Sequence, residues 1–312
     1  MIVLRAACLL AGLLCLPAAA FDIQGHRGAR GLLPENTLPA FQKALDLGVT
    51  TIECDMAVTK DRVVVVYHDL TLNPDITRGP DGKFLEGRGP AISTLTYDEL
   101  RQYDVGRIKP GTEYAKQFPD QAGLDGVRIP RLSDLFDLVK KSGNQNVQFD
   151  CETKVDPYQR ALTVDVQEFT RLAIAEIRKA GMASRTMVQS FDWSTLQQIQ
   201  KEAPEIRTMY LYSPRSGNPR NGQPALWVAG FHPSEHGGSI PRAVKAAGGK
   251  IFAPNHALLD AAMLAEAKAL GLTVIPWTVN DVPTINKLLD MGVDGIISDR
   301  PDLVIQERAK RK

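Results

Sequence analysis

The side chains in this sequence best suited to chemistry are His26, Arg27, Glu53, Asp55, His68, Glu152, Lys154, Gln189 and Trp277. The stretch His26-Arg27-Gly28-Ala29-Arg30-Gly31 ends a short apolar run, Phe21 to Gln24, and precedes the helical pattern of Leu38, Phe41, Ala44 and Leu45. A glycine-bearing turn entering a helix offers unpaired backbone N–H groups to an anion. Arg27 and Arg30 add two guanidiniums, and arginine grips phosphate through two parallel hydrogen bonds. With His26 in the same turn, the simplest reading is a phosphate site with a proton donor or acceptor built in. Glu53 and Asp55 are two apart on an apolar strand and so share one face, and Glu152 and Lys154 do likewise. Three carboxylates converging on one site cannot all stay charged and buried without a counter-ion. An all-oxygen set favours Mg²⁺ or Ca²⁺ over zinc. Histidine, with an unperturbed pKa near ~6.5, suits proton transfer to and from hydroxyls. Gln189 and Trp277 read as contacts at the rim of the site.

These residues fall where strands end. The first helical pattern runs from Leu38 to Leu47 and stops at Gly48; an apolar run, Val49 to Val58, follows it. Only Thr59-Lys60-Asp61-Arg62 separates that run from Val63 to Asp69. The gap is too short for a parallel crossover, so the two runs form an antiparallel hairpin that brings His68 level with Glu53. Residues 70–130 lack periodicity and are longer than an ordinary connection, which reads as a functional lid or a small insertion. A helix is expected from about Leu132 to Lys141, capped by Ser133. Strand and helix then alternate to the end of the chain. Without the return arm of the hairpin, strands begin near residues 22, 50, 147, 186, 206, 250, 273 and 294. Eight strand–helix units predict an α/β fold, a (β/α)₈ TIM barrel forming a single domain over residues 21–312, with the hairpin and insertion after the second barrel strand. In such a barrel the C-terminal ends of the strands carry the site.

Composition narrows the function further. The chain has 312 residues and a formal net charge of +1, and its only basic run is the tail Arg308 to Lys312, so no nucleic-acid footprint is expected. Residues 1–20 read as a secretory signal: Arg5, an apolar stretch from Ala6 to Leu16, then Ala18-Ala19-Ala20. The stretch is too short to span a bilayer comfortably, so the expectation is an exported protein, periplasmic or secreted, without a stable membrane anchor. Beyond the signal only Cys54 and Cys151 remain. Each lies between residues assigned to the site face, so both thiols point the other way and read as small buried hydrophobes, a disulfide being the minority reading.

His26-Arg27-Gly28 with Pro34-Glu35-Asn36-Thr37, then Glu53-x-Asp55, His68-Asp69 and Glu152-x-Lys154, resemble the glycerophosphodiester phosphodiesterase family. Trp277-Thr278-Val279-Asn280 and the run Gly292 to Asp299 with Pro301 match it as well. The resemblance implies hydrolysis of glycerophosphodiesters to glycerol 3-phosphate and an alcohol. It assigns one divalent cation to Glu53, Asp55 and Glu152, the phosphate to Arg27 and Lys154, and acid–base work to His26 and His68. Thr153 departs from the family's usual apolar residue and is expected to face the helices.

Three readings compete. A lysophospholipase D-type activity on the same scaffold needs an apolar entrance, which the charged, glycine-rich 70–130 stretch does not suggest. An exported, non-catalytic phosphate-ligand binding protein would have lost proton-transfer residues. A sugar-phosphate isomerase would leave three metal-type carboxylates unexplained. At single positions, Glu152 and Lys154 have a mutual salt bridge as their alternative, Trp277 has core packing, and Asp69 either orients His68 or turns the chain.

Overall fold

A computed structural model of the protein describes residues 21–220 and 222–311; the signal reading of residues 1–20 lies outside them. The strands are β1 (Asp22–Gly25), β2 (Thr51–Val58), β3 (Val64–Val66), β4 (Gln148–Thr153), β5 (Thr186–Ser190), β6 (Arg207–Tyr212), β7 (Ile251–Pro254), β8 (Thr273–Val274) and β9 (Gly295–Ser298). Their hydrogen-bonded order is β8-β7-β6-β5-β4-β2-β1-β9, with β3 paired antiparallel to β2 and every other pairing parallel. Short bonds close the ring between the last two strands: Asp294 N donates to Val274 O at 2.9 Å and Ile297 N to Pro276 O at 3.0 Å. This is the expected parallel eight-stranded barrel with helices outside.

The alternation within β2 and β4 divides polar from apolar, as the period of two demands. Ile52, Cys54, Met56 and Val58 pack outward in the main core with Phe149 and Cys151. The alternate residues Thr51, Glu53, Asp55, Asp150 and Glu152 are also buried, on the opposite face of the strands. The rest of the barrel interior is filled by an apolar cluster of Met187, Met209, Leu211, Ile251, Ala253, Ile275 and Ile297. One side of the barrel lumen is therefore greasy and the other carboxylate-rich. Cys54 and Cys151 are register partners, buried and free of a disulfide, with the Cys54 thiol donating to Cys151 Sγ at 3.5 Å among the outward-facing hydrophobes. Thr153 faces the helices too, its hydroxyl 2.9 Å from that of Thr195.

Local chemistry sets the helix boundaries near the site. Thr37 caps the helix Leu38–Leu47, its Oγ1 accepting from Ala40 N at 3.3 Å, and Pro39 occupies the first turn. Ala40, Phe41 and Ala44 form its buried face, and Gly48 ends it at φ 81°. The helix Leu132–Ser142 is capped by Arg131 rather than Ser133: Arg131 N donates to Asp134 at 2.9 Å, so the carboxylate at the third helical position sets the boundary.

The hairpin register differs by one residue from the expectation. Met56 faces Val66, and Tyr67 N donates to Asp55 O at 2.9 Å, which brings His68 level with Cys54 instead of Glu53. The turn Thr59-Lys60-Asp61-Arg62 is tightened by Thr59 accepting from Val63 N at 3.0 Å, and this sets the offset. The stretch 70–130 holds a second small core in which Leu72, Ile76, Ile92, Leu100, Val105 and Ile129 pack against Ala57, Val65 and Tyr67 of the hairpin.

Candidate active site

The loop after β1 is built to turn sharply beneath a charged site. Arg27 and Asn36 hold positive φ, 50° and 55°, and Gly28 sits at 86°. A Cβ on Gly28 would lie 2.7 Å from the Ala40 carbonyl carbon, so the loop can press onto the helix only with glycine there. A left-handed arginine costs about 1–3 kcal/mol and is held by its partners. Arg27 N donates to Glu53 Oε2 at 2.6 Å, its guanidinium donates to Glu35 at 2.7 Å, and Nε lies 3.2 Å from Asp55. Tyr114, carried by the helix Glu113–Gln117 of the insertion, donates to the other oxygen of Glu35.

Glu53, Asp55 and Glu152 converge across β2 and β4, where Asp55 and Glu152 are register partners. Each offers an oxygen within 4.8 Å of the others, and all three are buried. Burial first, and then the charge of Asp55, push the Glu53 carboxyl well above its usual range. Burial likewise raises Glu152 against the opposing charge of Lys154. Burial would raise Asp55 too, but Arg27, His68, Lys154 and the Asn36 hydrogen bond hold it well below the carboxylate range. One oxygen, Asp55 Oδ1, is buried without a hydrogen-bond partner among the described residues. A buried, orphaned carboxylate oxygen inside a compact acidic set is what an oxygen-seeking divalent cation satisfies, so these residues fit one. Lys154 Nζ lies 2.7 Å from Glu152 and 3.6 Å from Asp55, beside the set and compatible with both the salt bridge and phosphate binding.

The two histidines are presented alike. His26 Nδ1 lies 2.6 Å from Asp299 Oδ1, and His68 Nδ1 lies 2.7 Å from Asp69 Oδ1. Asp69 is itself held by Asn73 at 2.8 Å, so it orients His68. Asp299 also accepts from Arg30 at 2.8 Å and 3.0 Å and from Asn280 at 2.6 Å. Burial, reinforced by Arg30 and Arg27, lowers His26 to about 4 despite the pull of Asp299. Although burial would raise Asp299, His26 and Arg30 hold it well below the carboxylate range. The neutral imidazole therefore donates from Nδ1 to an ionised Asp299 and keeps an unprotonated Nε2, 3.9 Å from Glu53.

A cavity of about 190 Å³ joins these groups, with His26, Arg27, His68, Glu152, Gln189 and Trp277 among its walls. Gln189 donates to Glu53 Oε1 at 2.9 Å and so steadies a carboxylate as well as lining the cavity. Trp277 is pinned by its indole N–H on Ala253 O at 2.8 Å and packs edge-on against Phe191. Sequence reasoning read Arg30 only as a second guanidinium of the phosphate-binding turn, and gave no role to Glu35, Asn36, Tyr114, Phe191, Trp227, Asn280 or Asp299. Glu35, Asn36, Asn280 and Asp299 stood inside motifs it quoted, where a polar residue beside each candidate was the available signal. Tyr114 falls in the 70–130 stretch, where the sequence shows no clean periodicity, and Trp227 follows the irregular stretch 213–224; neither carried a signal.

The sequence matches the Glycerophosphoryl diester phosphodiesterase family over residues 26–303. It is 28% identical to a protein named glycerophosphodiester phosphodiesterase from Caldanaerobacter subterraneus, over 90% of this chain and 94% of that one. A crystal structure from Silicibacter pomeroyi, bearing the family name provisionally, shares 35% identity and superposes with a TM-score of 0.84 over 94% of each chain. A phosphodiesterase from Oleispira antarctica, solved with its product sn-glycerol-3-phosphate, shares the fold at 20% identity and a TM-score of 0.66, over 92% of this chain and 96% of that one. With an acidic triad, two carboxylate-backed histidines and an anchored arginine at the mouth of this barrel, the chain belongs to the glycerophosphoryl diester phosphodiesterase family and is an enzyme of it.

Proposed function

We propose that this enzyme hydrolyses glycerophosphodiesters, such as glycerophosphocholine and glycerophosphoethanolamine, to glycerol 3-phosphate and an alcohol, using one divalent cation, Mg²⁺ or Ca²⁺. The observation that carries the reading is the pairing of two imidazoles, each backed at Nδ1 by a carboxylate, across a buried triad with an unsatisfied oxygen. Glu53, Asp55 and Glu152 would hold the cation, which when bound neutralises charge on the phosphoryl oxygens. Arg27, kept in place by Glu35, and Lys154 add positive charge aimed at the same oxygens. His26 borders the small inner cavity, whereas His68 also borders an outer groove. That asymmetry supports His26 as the base that takes a proton from the attacking hydroxyl. It supports His68 as the acid that protonates the leaving alcohol oxygen. The attacking hydroxyl is either water or the glycerol 2-hydroxyl, the latter giving a cyclic phosphate that water then opens. The product bound to the Oleispira antarctica protein supports glycerol 3-phosphate as the retained half.

The test is release of glycerol 3-phosphate from glycerophosphocholine by the purified protein. Release that stops with EDTA and returns with Mg²⁺ or Ca²⁺ supports both the reaction and the metal. Absence of release from every soluble glycerophosphodiester offered to a folded, metal-supplied sample refutes the reading. One observation favours a second reading: the aromatic side chains Phe191, Trp227 and Trp277 line the entrance from outside the 70–130 insertion. They offer the apolar approach that a lysophospholipase D-type activity needs, and the same assay on lysophosphatidylcholine tests it. Export, read from residues 1–20, belongs to this proposal as well. A mature chain beginning at Phe21 in the periplasm or medium would support it, and retention of the full chain in the cytoplasm would refute it.

A further inference from the structure

His68, Glu152 and Phe191 border both the inner cavity and an outer groove of about 350 Å³, which runs between residues 69–74 and 154–159. Phe191 and Trp227 then border a further chamber of about 510 Å³, walled by Ser213, Arg215, Ser216, Asn218 and Arg220. An alcohol leaving past His68 is directed along this path, and the space exceeds what the inner 190 Å³ cavity holds.

The charges along the path are unevenly committed. Each carboxylate facing it is already engaged. Glu152 belongs to the acidic triad and bonds Lys154, and Asp69 holds His68 and Asn73. Asp156 accepts from Tyr158 N at 2.8 Å and Gln159 at 2.6 Å, and lies 3.5 Å from Arg220. Two exposed guanidiniums have no carboxylate partner among the described residues: Arg88, which donates only to Thr71 Oγ1 at 3.1 Å, and Arg215. Arg220 lies over the Tyr158 ring, 5.4 Å from its centre, and borders the chamber, which has no acidic residue among its described walls. Uncommitted guanidiniums beside hydroxyl and amide groups favour phosphate or carboxylate, and they disfavour a cationic headgroup that finds no free carboxylate.

We propose that the alcohol half this enzyme prefers carries an anion of its own, a phosphate or a carboxylate, received in the groove and chamber by Arg88 and Arg215. The proposal rests on the phosphodiesterase reading above and names the substrate class of that site.

The test compares kcat/KM of the purified, metal-supplied protein on soluble glycerophosphodiesters that differ only in the alcohol. These are glycerol (neutral), choline (cationic), glycerol phosphate (anionic by phosphate) and glycerate (anionic by carboxylate). At least one anionic ester is expected to exceed the glycerol ester by about tenfold and the choline ester by more, the two anionic arms identifying which group is read. R215A and R88A should each cut that advantage about five- to tenfold, chiefly through KM. They should leave hydrolysis of the glycerol ester within about twofold, and R215K should retain part of the preference. A choline ester turned over as well as both anionic esters, or an anionic preference untouched in R88A and R215A, would overturn the proposal. Failure to cleave any of the four would overturn the phosphodiesterase reading and this inference with it. Both arginines are exposed, so equal melting temperatures in the variants separate lost recognition from lost folding.

Discussion

Asp299, 2.6 Å from Nδ1 of His26, also receives Arg30 and Asn280, so one carboxylate fixes the imidazole and an arginine of the loop after β1 together. Its ionised form requires Nδ1 to carry the proton and leaves Nε2 open to the site. Replacing Asp299 by Asn turns that side chain into one that can donate toward Nδ1, and favours the wrong tautomer. The expected result for Asp299→Asn is a kcat lower by about 10²-fold or more with KM little changed. A change confined to KM would show that Asp299 serves substrate binding instead.

The acidic triad predicts linkage between cation binding and stability. Mg²⁺ or Ca²⁺ at about 100 times its dissociation constant should add roughly 2.7 kcal/mol, a rise in melting temperature of about 5 °C. In Asp55→Asn the orphaned oxygen is lost to the cation, and the shift should shrink to near zero. Glycerophosphodiester hydrolysis should fall by about 10³-fold. Thermal melts with and without EDTA check the first statement, and steady-state kinetics the second.

Asp150 gives a pH prediction. It is fully buried beside Glu53 in the strand register, and neither of its carboxylate oxygens has a hydrogen-bond partner among the described residues. Burial, and secondarily the charge of Glu53, hold its carboxyl well above the usual range. A raised acid contributes its full stability below the unfolded pKa of about 4 and loses it as pH rises toward the folded value. Asp150→Asn removes the titration. The variant should match the parent near pH 4 and gain on it as pH rises toward pH 8, by about 1.4 kcal/mol for each pH unit over which only the folded state keeps the proton. Denaturant melts across that range would detect a gap that stayed constant, and a constant gap would rule out a protonated Asp150.

Tyr114 reaches Glu35, which anchors the guanidinium of Arg27. Tyr114→Phe removes one hydrogen bond to a buried, charged group, worth about 1.5–3 kcal/mol. Part of that should appear as a looser Arg27 and a KM for the diester raised about five- to tenfold, with kcat affected less. An unchanged KM with a lowered melting temperature would confine Tyr114 to fastening the insertion.

Much of the fold was legible because its signals are local. The alternation Thr51-Ile52-Glu53-Cys54-Asp55-Met56 already sorts carboxylates from hydrophobes. Gly48 and Pro39 bound a helix by their own backbone constraints. The cap at Arg131 and the one-residue offset of His68 were not legible in the same way. Each depends on which of two neighbouring polar groups wins a hydrogen bond, and composition does not decide that. The aromatic entrance escaped notice because Phe191 and Trp227 belong to different loops and meet only across the barrel mouth.

By itself, then, the sequence determined the strand order, the faces on which Glu53, Asp55 and Glu152 stand, and the two histidines, since strand periodicity and short motifs are properties of adjacent residues. Tertiary structure alone decided which carboxylate backs His26. Asp299 lies 273 residues away in the chain and reaches the imidazole because closure of the barrel sets β1 beside β9, with His26 N donating to Ser298 O at 2.9 Å. That closure is a cooperative result of eight strands pairing in register, and no local stretch of sequence encodes it.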